Sequence, residues 1–123
     1  MLIGCGPEPT EPAKTSLAGT WTSSANLFGL SNMRMTIVQE PQGIVSGGWT
    51  ATGIGPAGRC PVDGVACAAF GDLIGRNLVS HIQIELVGAG EFEGNLSQPQ
   101  TLRGVLIIQS GSYDTITFVR TGN

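Results

Sequence analysis

From Gly19 onward the chain repeats one pattern. A short run alternates apolar and polar residues, a cluster of Gly, Pro, Asn, Asp or Ser follows, and another run begins. Alternation with period two marks strands with one buried face, because successive side chains point to opposite sides of the backbone. Short strands punctuated this regularly point to an all-β sandwich or barrel. The pattern predicts strands at 19–24, 33–39, 44–52, 69–75, 78–86, 91–97, 101–109 and 113–120. No stretch carries a helical period, though 27–33 (LFGLSNM) has room for one turn.

The links decide between sandwich and barrel. Glu40-Pro41-Gln42-Gly43, Arg76-Asn77, Gln98-Pro99-Gln100, 87–90 and 110–112 are all short. Short links join antiparallel neighbours. Consecutive neighbours form a meander, and closing it removes both edges. The expectation is an all-β, eight-stranded antiparallel up-and-down (meander) barrel.

Parity separates inside from outside. Met33, Met35 and Ile37 share one face of their strand, as do Val45, Gly47, Trp49 and Ala51. Ile82, Ile84 and Leu86 follow, then Phe92, Gly94 and Leu96, then Leu102, Gly104, Leu106 and Ile108, then Ile116 and Phe118. The opposite faces carry Arg34, Thr36, Ser46, Thr50, His81, Gln83, Glu85, Glu91, Glu93 and Arg103. Glycines on the inner face leave room for large rings. Val105 and Ile107 break the pattern on the seventh run.

Gly19-Thr20-Trp21 on the first strand and Arg120 on the last resemble the signature of calycins, the group of lipocalins and related barrels. The resemblance implies that Trp21 closes the barrel floor and Arg120 stacks on it, a favourable cation–π contact. Arg120 shares the parity of Ile116 and Phe118, as that role requires. The run SYDTITF, with Asp114, also resembles the last strand of avidin-like barrels, where the matching aspartate binds biotin. The tryptophan-rich segments that wall the biotin site are missing, and Trp49 stands where a tyrosine is expected.

Leu2-Ile3-Gly4-Cys5 resembles a bacterial lipobox, the end of a lipoprotein signal peptide. The resemblance implies a lipid on Cys5, a membrane anchor and a place in the cell envelope. Pro7, Pro9 and Pro12 stand among Glu8, Glu11 and Lys14 just after it. That composition favours an extended, solvated backbone reaching on the order of 35 Å. The expected organisation is a lipobox remnant at 1–5, a tether at 6–17 and the barrel at 18–121. Cys60 and Cys67 flank Asp63-Gly64, a turn signal. An exported chain would oxidise them. Free thiols are the alternative, and a metal site would need more ligands than His81, the sole histidine, supplies.

Charged residues make up 12% of the chain and the net charge is −3. No basic patch is present to neutralise phosphates, so nucleic acid is not an expected partner. G-x-S-x-G, H-E-x-x-H and P-loop motifs are absent, Glu91 and Glu93 lie on the solvated face, and no cofactor or enzymatic activity is expected. Alternating strands place the long loops 25–32 and 53–68 together at one end, the mouth. Residues expected there are Ser23, Met33, Trp49, Phe70, Phe92 and Asp114. Asp114 would orient a polar ligand group or, the favoured reading, cap the turn at Gly111. Leu27, Phe28 and Leu30 would form a plug, a lid or a partner contact. A small apolar or amphipathic ligand bound at the mouth is the leading expectation. A filled barrel that binds a protein, as a protease inhibitor or envelope scaffold does, is the alternative.

Overall fold

The computed structural model describes residues 15–54, 60, 64–79 and 81–122. Cys5 and most of the predicted tether lie outside them. Eight strands follow in order: β1 Gly19–Thr22, β2 Leu30–Gln39, β3 Ile44–Ile54, β4 Ala66–Asn77, β5 Ile82–Leu86, β6 Gly90–Gln98, β7 Thr101–Ile107 and β8 Tyr113–Gly122. Each pairs antiparallel with its sequence neighbour, and β8 returns to β1, closing an up-and-down barrel.

The inner face is the one that alternation selects. Trp21, Met33, Met35, Val45, Leu73, Ile84, Leu86, Phe92, Leu102, Leu106 and Phe118 are all fully buried. With their buried neighbours they form one hydrophobic core cluster. The Phe92 and Phe118 rings meet edge to face, 5.7 Å apart. Gly94 and Gly104 are register partners beside the Phe92 ring. A Cβ on Gly94 would sit 2.8 Å from Phe92 Cζ and 2.2 Å from the Arg103 carbonyl oxygen. The ring and its flat glycine bed are thus one packing unit.

The floor is sealed by the segment before β1. Leu17, assigned to the tether by composition, is fully buried inside the barrel's lower end. Its N–H donates to Gln39 Oε1 at 2.7 Å, and its carbonyl accepts from Trp21 Nε1 at 2.8 Å. Asn77, read from sequence as a turn residue, is buried as well. Its amide nitrogen donates to the Thr15 carbonyl and to Gln39 Oε1. Trp21 and Arg120 are register partners on β1 and β8. The guanidinium lies 4.5 Å from the indole centroid and donates to the carbonyls of Ala18, Ser16 and Pro99. The stacked pair expected from sequence is therefore present.

Three local readings change. The 27–33 segment makes no helical turn. Leu27 and Leu30 exchange both backbone hydrogen bonds around Phe28 and Gly29, which have φ of 54° and 78°. That is a tight hairpin turn of the kind positive φ at both central residues produces. The fifth strand begins at Ile82 rather than 78, because β4 runs on to Asn77 and the reversal falls at 78–81. On β4 the inward residues are Cys67, Ala69, Gly71 and Leu73, so Phe70 points outward and is 73% exposed. The Trp49 ring takes the space in front of Gly71: a Cβ there would lie 2.8 Å from Trp49 Nε1.

Candidate functional site at the open end

The floor is tied by the hydrogen bonds of Leu17, Gln39 and Asn77, and the longer connections lie at the other end. The segment 23–29, the ends of β3 at Ile54 and β4 at Ala66, and the turns at 87–89 and 108–112 gather there. Within this mouth lies a recess of about 330 Å³, bounded by Phe28, Leu30, Trp49, Ala89, Ile108 and Ser110. Most of that lining is apolar.

Each wall has a local cause. The Phe28-Gly29 turn folds Leu27 and Phe28 back against the core. Trp49 is 3% exposed and forms the bottom. Its Nε1 donates to the Val87 carbonyl at 3.0 Å, which fixes the ring and ties β3 to the turn after β5. Ala89 is buried, its N–H donating to the Leu86 carbonyl at 2.8 Å. Ile108 closes the far side, where its N–H donates to the Ser112 carbonyl. The recess is therefore a shallow cup over a packed core.

Of the residues expected at the mouth, Trp49 alone lines this cup. Met33 and Phe92 are inward as expected but lie within the packed core. Ser23 is buried, and its Oγ accepts from the Ala25 N–H at 3.1 Å, a local turn. Asp114 is exposed, and its Oδ1 accepts from the Thr115 N–H at 2.7 Å, a bond to the next residue of β8 rather than to the turn at Gly111. Phe70 is on the outer wall. The sequence marked Phe28, Leu30 and Ile108 as apolar residues of this end or this face. Ala89 was missed, because a lone alanine in a turn carries no signal.

The disulfide is formed between Cys60 and Cys67, with Cα atoms 5.8 Å apart. It joins the β3–β4 connection to β4 beside the mouth. On the outer wall, Gln83 Nε2 donates to Glu91 Oε2. Glu93 has its carboxyl held above the ordinary carboxylate range by a hydrogen bond with Glu91, by partial desolvation and by repulsion from Glu91, with His81 opposing. This pair is on the wall, not at the cup. Among the described residues no cluster of three His, Cys, Asp or Glu is placed to hold a metal ion, and no helix is long and apolar enough to cross a membrane.

No protein-family model matches the chain, and no characterised protein matches it.

Proposed function

We propose that this is a non-catalytic envelope lipoprotein, tethered through a lipid on Cys5, whose barrel binds a partner protein at its open end. The filled interior carries this reading. A barrel that stores a free ligand needs empty space, and here Trp21, Phe92, Phe118 and the aliphatic residues occupy it. Among the described residues the open end holds a cup of about 330 Å³, at the low end of the roughly 300–1,000 Å³ typical of ligand sites. It suits one apolar side chain of a partner, gripped by Trp49, Leu30 and Ile108, the kind of pocketed anchor that dominates interface energetics. Lipocalin-like scaffolds and inhibitors of secreted proteases built on such barrels are consistent with this use of the loops.

A photo-crosslinking side chain at Ile108, in the chain expressed in its own envelope, tests the reading. The same group at Val38, exposed on the outer wall, is the control. A discrete protein adduct from position 108 and none from 38 is expected. Equal labelling from both positions, or none from 108, would count against it. The apolar cup also supports a second reading, a small apolar ligand bound at Trp49. That reading expects a small-molecule mass in place of a protein adduct.

A further inference from the structure

β4 is longer than the strand beside it. β5 pairs only with Leu73–Asn77, so Ala66–Asp72 has β3 on one side and, among the described residues, no strand on the other. At the end of that stretch the Asp72 carbonyl accepts from the Val87 N–H. An open edge is a template for another strand, and proteins usually guard one with charge, proline or a bulge. Such guards are missing from this segment. Gly64-Val65-Ala66-Cys67-Ala68-Ala69-Phe70-Gly71 holds no charged residue and no proline in a chain of net charge −3. β8 offers the contrast: β1 covers only its Val119–Gly122 end, and the uncovered part carries Asp114. On β4, Phe70 is exposed by 73%, and Val65 just before it by 54%, which is surface awaiting a cover.

We infer that the β4 edge pairs antiparallel with the β4 edge of a second copy of this chain, about a two-fold axis at Ala68. The segment is self-complementary in that register. Phe70 of each copy falls opposite Ala66 of the other, on the same outward face, so each ring lies over a methyl group. The two Ala68 residues between them leave space for both rings. Cys67 falls opposite Ala69 on the inward face. The pairing ends at Phe70, because Val87 already covers Gly71 and Asp72, so no like charges meet within it, although two copies of an acidic chain repel elsewhere. The Cys60–Cys67 disulfide ties this stretch to the preceding loop. The pairing joins two barrels through one continuous sheet of β3 and β4 from each copy, and it does not use the cup.

Sedimentation velocity of the full chain, with Cys5→Ser to prevent thiol cross-links, tests this. A concentration-dependent dimer is expected. Phe70→Lys, on an exposed side chain, should weaken it about tenfold or more with unchanged thermal unfolding of the barrel. Adding Ala66→Glu to Phe70→Lys sets the introduced carboxylate opposite the introduced ammonium in both halves and should restore the dimer. A monomer up to the solubility limit would overturn the inference. So would a dimer indifferent to Phe70→Lys, or failure of the paired charges to restore it.

Discussion

Replacing Arg120 by alanine should loosen the whole barrel from its floor. The guanidinium donates to three carbonyls, of Ala18, Ser16 and Pro99, and covers the Trp21 ring at 4.5 Å. These contacts tie β8 to the segment before β1 and to the β6–β7 turn. A hydrogen bond from a charged donor contributes about 1.5–3 kcal/mol, and an accessible cation–π contact about 0.5–1 kcal/mol. The site is partly open to water, so the low end applies and freed carbonyls are re-solvated. The expected loss is about 2–3 kcal/mol, a fall in Tm on the order of 10 °C for a domain of this size. Arg120→Lys keeps the charge but cannot span three acceptors, so it should recover less than half. The assay is urea unfolding followed by tryptophan fluorescence, with the slope checked for constancy. A loss under about 0.5 kcal/mol for Arg120→Ala would refute the latch.

Other consequences follow from the same packing. Gly104→Ala would put a Cβ 2.1 Å from the Glu93 carbonyl oxygen and should cost about 3 kcal/mol or prevent folding, read by calorimetry. Replacing both Cys60 and Cys67 by alanine removes a short loop closure and should cost about 2 kcal/mol, with hydrogen exchange rising first in β4 near Cys67. Glu93, whose carboxyl titrates above its usual range beside Glu91, favours the fold while protonated and loses that contribution as pH rises through its folded-state value. Glu93→Gln should therefore raise Tm slightly at neutral pH and leave it unchanged in acid; the same Tm difference at both pH values would remove this account.

Much of the fold was legible because period-two alternation and turn residues are local signals. β4 was the exception for a physical reason. Ala66, Ala68, Ala69 and Gly71 put small residues on both faces, so alternation is silent and does not say to which side the only ring, Phe70, points. In the structure the space belongs to the Trp49 ring across from Gly71. The floor was half legible. The Trp21–Arg120 stack followed from a resemblance at the two ends of the chain, whereas Leu17, Gln39 and Asn77 meet across separations of 22 and 38 residues and carry no local mark. The cup was legible only as a location. Which loop side chains line it depends on the Phe28-Gly29 turn, whose positive φ at a phenylalanine no propensity would select.

The proposed role, binding a protein at the open end, has a consequence for the protein in its own envelope. Native mass spectrometry of the protein, released gently from its own envelope, tests it most directly. Partner binding predicts a mass carrying only the lipid on Cys5, together with a larger species that retains a protein partner. A stoichiometric small-molecule adduct, lost on narrowing the cup with Ala89→Leu, would contradict it.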